Sequence, residues 1–374
     1  MNQALLQIDN VDKIYGSGDG GVKAVNDLSM SVDQGEIVSL LGSSGCGKTS
    51  TLRMIAGFEA ITEGSIHING KLINQLPPVK RNVAMAFEGY SLYPPLTIRD
   101  NIGFALKATN LSKEAVSSKV NQICEMLEIT DIQDRYPSSV SGGQQQRASL
   151  ARALIRDADL HLLDEPMGQL EPQLRALLRG RIKHYIKEKG LTAILVTHDQ
   201  AEANALSDRI AVMEGGYLQQ FETPLALKEQ PANLFTGTFI GEPPMNVFDV
   251  AVSTSNGTVQ FDLGENTSLS YPVSDIPQPI IDAASSNRSL VFGVRPYAVK
   301  KSQAGISATV VANQWLGDQT HIAATLAGKP IVLVEHDRSF DKIGDKIGIK
   351  VDPQSIHLFD RDTGDAVTHG LELA

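Results

Sequence analysis

Residues Gly42 to Thr49 read GSSGCGKT, and no other stretch constrains this chain as tightly. The octapeptide fits G-x-x-x-x-G-K-[ST]. It follows a short, mostly apolar run, EIVSLL (36–41), of the kind that forms a strand buried on both faces. It precedes TLRMIAGF, a helical pattern. In such a strand–loop–helix, glycines let backbone N–H groups converge on phosphate oxygens, and the helix adds its positive end. Gly42, Ser43, Ser44, Gly45, Cys46, Gly47 and Ser50 are expected to surround a nucleotide's phosphates. Lys48 is expected to reach the β and γ phosphates, and Thr49 to ligate Mg2+.

More strands follow the same logic. DLHLLDEP (159–166), AILVTHD (193–199) and RIAVMEGG (209–216) read as strands separated by helices, which predicts an α/β domain with a parallel core sheet. The first of them ends in Asp164 and Glu165. Beyond a phosphate loop, Asp164 is expected to hold Mg2+, directly or through water, and Glu165 to polarise an attacking water. His161, inside that strand, reads as a core histidine with its polar atoms satisfied. Residues about 5–41 look like β-structure, with AVNDLSMSV (24–32) alternating as a half-buried strand does. Residues about 97–157 read as mostly helical, and AVSSKVNQICEMLEI (115–129) is amphipathic, with Cys124 on its apolar face.

The texture changes at FIGEPPMNVF (239–248). Short strands with Gly, Pro, Asn and Asp turns then follow, predicting a small β-barrel or sandwich beyond a boundary near Pro243. The bulk numbers narrow the classes. A net charge of −10 and aromatic content of 5% argue against a nucleic-acid binder. Two cysteines exclude a disulfide framework and fit a reducing compartment. No run approaches 18 apolar residues and the first residues lack a secretion-signal pattern, so membrane contact is expected to go through a partner. Cys46, inside the phosphate loop at a helix start, reads either as a thiol with a lowered pKa or as a small packing residue.

The class is decided by VSGGQQQRASLARAL (140–154). Its glycines open a helix and make a second anion site, which a chain with one phosphate loop needs only if a site is shared between two chains. The stretch resembles the signature of the ATP-binding cassette ATPases, and the resemblance covers residues 1 to about 240. It implies a RecA-like parallel sheet with an N-terminal antiparallel β subdomain and a helical subdomain at about 90–157. It implies that Tyr15 stacks on adenine and that His198, in VTHD, is the switch histidine at the γ-phosphate. Ser141, Gly142, Gly143 and Gln144 would face the other chain's nucleotide, and Leu170 and Glu171, in MGQLEPQLR, would form the dimer-contact loop. AMAFEGYSLYPPL (84–96) falls where the loop that senses Mg2+ and the membrane subunit belongs, with Tyr90, Leu92, Tyr93 and Pro94 as docking anchors.

The tail, residues 241–374, resembles the OB-like regulatory β-domain of carbohydrate-importer ATPases typified by the maltose importer. That family implies an ATP- and Mg2+-dependent ATPase at the cytoplasmic face of a bacterial inner membrane, driving uptake of a sugar or a polyol such as glycerol. Its partners would be a second ATPase subunit (the same chain or a sister), two permease subunits and, indirectly, a periplasmic binding protein. The chain departs from the pattern at four places: Glu88 for the usual Gln, Glu171 for Asp, Val140 for Leu, and Tyr297 for an acid after Arg-Pro. Glu88 reads in three ways: as a Mg2+ ligand, as a brake on a subunit working beside a Gln-bearing sister, or as a side chain turned to solvent. The rival class, a regulatory subunit with ATP as a structural ligand, differs from all of these in predicting no turnover.

Overall fold

The computed structural model describes residues 4–16, 20–285 and 289–370, and the chain divides into two compact units at Pro224/Leu225. The first unit opens with β1 (Leu6–Tyr15), β2 (Val22–Val32) and β3 (Ile37–Gly42), then α1 (Lys48–Ala56), β4 (Glu63–Ile68), β5 (Lys71–Leu72) and β6 (Val83–Ala86). Helices α2 (Ile98–Phe104), α3 (Lys113–Met126) and α4 (Gly142–Leu154) come next. The unit continues with β7 (Leu160–Asp164), α5 (Pro172–Glu188), β8 (Ala193–Thr197), α6 (Gln200–Leu206), β9 (Arg209–Glu214) and β10 (Tyr217–Glu222). An antiparallel sheet runs β2-β1-β4-β5, and a six-stranded sheet runs β10-β9-β3-β8-β7-β6. In the latter, β9, β3, β8, β7 and β6 are mutually parallel, and β10 pairs antiparallel to β9 at the edge.

Every residue of β3, β7 and β8 is buried, which is why these strands read as continuous apolar runs. One apolar core, with Leu6, Val25, Leu40, Leu52 and Met54, lies between the antiparallel strands, α1 and one face of the central sheet. A second, with Ile98, Val120, Cys124, Leu150 and Leu163, ties the helices to the other face. Burial pushes the Cys124 thiol up to about 11, so it is a packing group.

Ligands gather where neighbouring parallel strands end. The order β3-β8-β7-β6 therefore sets four carboxyl ends side by side: the phosphate loop, His198, Asp164–Glu165 and the loop carrying Glu88. Adjacent strands stand about 4.8 Å apart, so the array brings together residues as far apart in sequence as Gly42 and His198.

The second unit holds α7 (Pro224–Glu229), α8 (Leu234–Phe239), α9 (Gln278–Ala284) and antiparallel strands. Strands β11 (Asn246–Ser255), β12 (Thr258–Gly264), β13 (Thr267–Pro272) and β14 (Leu290–Val294) are followed by β15 (Val299–Trp315), β16 (Thr320–Leu326), β17 (Lys329–Glu335), β18 (Lys346–Val351), β19 (Ile356–Asp360) and β20 (Ala366–His369). They form two sheets, β13-β12-β11-β14-β19-β20 and β17-β16-β15-β18, around one core that includes Phe248, Phe261, Phe292, Ile322 and Ile349.

The division lies well before Pro243. The reason is Arg295, at the end of β14. It is buried, and its guanidinium donates to the carbonyls of Lys228, Gly237 and Ile240, so residues 225–240 are bonded into the β-domain. Leu234 N–H also donates to Gly364 O, and Ala366 N–H to Ala232 O. Tyr297, the departure after Arg-Pro, donates its hydroxyl to Glu229 at 3.1 Å.

Among the described residues no helix is long and apolar enough to cross a membrane.

Candidate active site

The phosphate loop leaves β3 at Gly42 and enters α1 through Gly47, whose φ of +102° suits glycine alone. Lys48 is buried, and its ammonium donates to Gly42 O and Ser43 O, both at 2.8 Å. The lysine is thus folded back over its own loop. Ser43 Oγ donates to Glu214, while Ser44, Gly45 and Thr49 are exposed at the rim. Tyr15 stands half-exposed at the end of β1, with Lys13 over its ring and its hydroxyl 3.2 Å from Ser50 Oγ.

Cys46 is buried, not rim-exposed. Burial raises its thiol pKa, outweighing the Lys48 ammonium 3.6 Å away, so of the two readings the small packing residue fits and the lowered thiol does not. His161 is fully buried; its Nε2 meets Arg156 O, its Nδ1 has no partner, and burial lowers its pKa.

Asp164 is buried, and its carboxyl is pushed up to about 6 by burial and then by the Glu88 and Glu165 carboxylates. Glu88 is exposed, but its charge bears on Asp164 because β6 lies beside β7. Three acids crowding one strand edge form a region where a divalent cation relieves repulsion, so these residues fit Mg2+. Among the described residues no group of three or more His, Cys, Asp or Glu side chains is placed to hold a metal ion by itself.

Glu165 adopts the left-handed conformation, φ +44°, and its Oε1 lies 3.0 Å from His198 Nδ1. Its N–H donates to Val196 O, on β8. Ser141 caps α4: its Oγ accepts from Gln144 N–H, and Gln144 Oε1 accepts from Ser141 N–H. Ser141 and Gly142 are exposed and so open to a partner. Leu170 is buried and Glu171 exposed.

Two of the four docking anchors are half-buried. Leu92 packs against the helical core, and the Tyr90 hydroxyl lies 3.2 Å from where a Cβ on Gly142 would stand. Tyr90 and Ser91 both have positive φ, and Arg152 of α4 donates to both of their carbonyls. Buried Asn101 closes the same loop, accepting from Tyr93 N–H and donating to the carbonyls of Tyr93, Leu96 and Thr97. Tyr93 and Pro94 remain exposed, with the Tyr93 ring 4.7 Å from Phe104.

Several residues around the site were not singled out in the sequence. Arg175 donates to Gly168 O, Leu170 O and Asp199 Oδ2, so it joins the loop before α5 to the residue after His198. Glu202 is buried; it accepts from Thr197 Oγ1 at 2.6 Å and leaves its Oε1 without a partner. Burial lifts its carboxyl from the ordinary 4.5 to about 7, with Asp199 adding to the rise and Thr197, Arg175 and Arg179 opposing it.

A raised folded-state value favours the folded chain below pH 4.5, and that contribution is lost as pH climbs to about 7. Glu202→Gln is therefore expected to stabilise the cassette by about 2 kcal/mol at pH 8 and by nothing near pH 4.5, read by urea unfolding at both pH values. Equal effects at the two pH values would contradict this account.

The ABC transporter family model matches residues 25–168, and the TOBE domain model matches residues 292–359. A xylose/arabinose import ATP-binding protein of Haloferax volcanii is 37% identical, covering 97% of this chain and 95% of its own. A trehalose/maltose import ATP-binding protein of Thermococcus litoralis is also 37% identical, covering 97% and 99%. An sn-glycerol-3-phosphate import ATP-binding protein of Cupriavidus pinatubonensis is 35% identical, covering 96% and 98%. A solved dimeric ATP-binding cassette, in a post-hydrolysis state with ADP and phosphate, superposes with a TM-score of 0.54 at 28% identity, over 58% of this chain and 98% of that one. With the strand-edge geometry already described, these matches place the chain in the ABC transporter family, as an ATPase of the import type that carries a TOBE domain.

Proposed function

We propose that this chain powers the uptake of a sugar or polyol by hydrolysing ATP at an interface between two cassettes, attached to the cytoplasmic side of a membrane through two permease subunits. The observation that carries the reading is the single strand edge on which Lys48, His198, Asp164, Glu165 and Glu88 converge. The solute class follows the relatives, which are named for pentoses, disaccharides and glycerol phosphate. A periplasmic binding protein would choose the solute, and the second cassette would be this chain or a sister.

The phosphate loop's N–H groups and Lys48 bind the triphosphate, drawing the ammonium from Gly42 O and Ser43 O onto phosphate oxygens. Tyr15 offers its ring to the base. The Ser141-Gly142-Gly143 turn, with Gln144 behind it, offers an exposed helix start to the partner's nucleotide, and Leu170 and Glu171 lie on the loop that meets it. Thr49, Asp164 and Glu88 would hold Mg2+, which when bound neutralises charge on the β and γ phosphates. Glu165 orients and deprotonates water, and His198 positions both Glu165 and the γ-phosphate. Tyr93 and Pro94, beside Phe104, offer an exposed aromatic and proline surface to a permease helix.

Glu88 decides between full and restrained turnover. It follows the strand beside that of Asp164, and its charge adds to the rise of the Asp164 carboxyl, which supports the ligand reading. Glu88→Gln is expected to raise the Mg2+ concentration for half-maximal ATP turnover about tenfold and to lower the maximal rate. A higher maximal rate would overturn ligation in favour of a brake. No Mg2+-dependent turnover from either protein, alone or with a sister cassette, would sink the ATPase reading.

A further inference from the structure

The run Gln144-Gln145-Gln146 looks uniform, yet its three amides do different things. Gln144 completes the helix cap, and Gln145 donates to Pro137 O and Val140 O. Gln146 is buried, only 3% exposed, and both ends of its amide are used. Its Nε2 donates to the backbone carbonyl of Glu165 at 2.7 Å, and its Oε1 accepts from Gln169 N–H at 2.9 Å.

We propose that Gln146 is a positioning residue for the catalytic carboxylate of Glu165, acting through the backbone of residues 165–169. This rests on the reading of Glu165 as the base. Glu165 sits in a left-handed conformation that a non-glycine residue keeps only when its surroundings hold it there. Its N–H is fixed by β8, at Val196 O, and its carbonyl by Gln146 and the weaker bond from Gly168 N–H at 3.3 Å. With the peptide groups on both sides of its Cα pinned, the Glu165 side chain is aimed toward His198. Without the amide, the Glu165 carbonyl and the Gln169 N–H each lose a partner, and the turn gains freedom to carry the carboxylate away from its water. The helix supplying the amide is the one that starts at Ser141. A polar side chain this buried and this fully paired holds backbone rather than contacting the nucleotide itself.

The test is a double-substitution comparison in the full-length protein, with Mg-ATP as substrate. Gln146→Met keeps the volume and removes both hydrogen bonds. It is expected to lower kcat at least tenfold with KM for ATP changed less than threefold. In a Glu165→Gln background the same change is expected to alter the residual single-turnover rate less than twofold, because the carboxylate it aims is gone. A tenfold loss in both backgrounds would overturn the proposal, as would a kcat within twofold of the parent. The base reading fails separately, if Glu165→Gln alone leaves turnover unchanged.

Gln146→Glu covers the case where the Met variant does not fold. It keeps an acceptor for Gln169 N–H and donates to the Glu165 carbonyl only when protonated. Its turnover relative to the parent is expected to be higher at pH 6 than at pH 8; a flat ratio counts against the role.

Discussion

Glu165→Gln is expected to lower steady-state ATP turnover by about 10²- to 10³-fold while leaving ATP affinity within about threefold. The geometry separates the two properties. The groups available to hold phosphate are the loop N–H groups and Lys48, whose ammonium is already bonded to the loop. Glu165 lies on β7's extension, turned toward His198 rather than toward that loop. An amide of the same shape keeps the backbone bonds to Val196 and Gln146, so the fold around the site stays as it is. It removes only the carboxylate proposed to take a proton from water. Initial-rate assays with labelled ATP, paired with equilibrium binding of a fluorescent ATP analogue, read the two quantities. Turnover within threefold of the parent would show that water is activated by another group, and parallel loss of affinity would show that Glu165 holds nucleotide.

The parts of this site legible in the sequence are those whose members are covalent neighbours. GSSGCGKT carries its own turn, donors and cation, and LHLLDE carries an apolar strand that ends in two acids. What the sequence hides is adjacency between strands. Glu88 and Asp164 are 76 positions apart, and only the pairing of β6 with β7 makes them neighbours. The sequence left Cys46 open between two readings because two effects oppose each other at a helix start, and burial, which needs the tertiary structure, wins.

Other signals lie in the sequence itself. Asn256-Gly257, both with positive φ, is the two-residue turn that joins β11 to β12, and Asn-Gly is the strongest short hairpin signal. Gln146 shares a helix face with Leu150 and Leu154, so helical period alone marks it as a buried polar group in need of partners. Tyr90 and Leu92 look like docking anchors in a linear reading. In the fold, where Tyr90 and Ser91 take positive φ, Tyr90 and Leu92 are half-buried, Leu92 against the helical core, while Tyr93 is exposed.

Two glycines of the phosphate loop separate conformational freedom from packing. Gly45 (φ +80°) and Gly47 (φ +102°) both occupy backbone that side chains rarely adopt. Their surroundings differ. A Cβ on Gly45 meets nothing within 4 Å, whereas one on Gly47 would stand 2.4 Å from the backbone carbonyl of Ala24 and 3.1 Å from Val25 Cγ2. Gly45→Ala is therefore expected to cost about 1–2 kcal/mol, the strain of the left-handed residue alone. Gly47→Ala adds a clash with a strand that cannot yield without moving β2, for a total of roughly 3–5 kcal/mol. The start of α1 must then shift, and Lys48, the next residue, shifts with it. ATP affinity is expected to fall at least 100-fold for Gly47→Ala and less than tenfold for Gly45→Ala. Urea unfolding and nucleotide titration of both variants measure the difference. Equal losses would mean that the contact between the loop and β2 does not govern the site, and that positive φ alone accounts for both glycines.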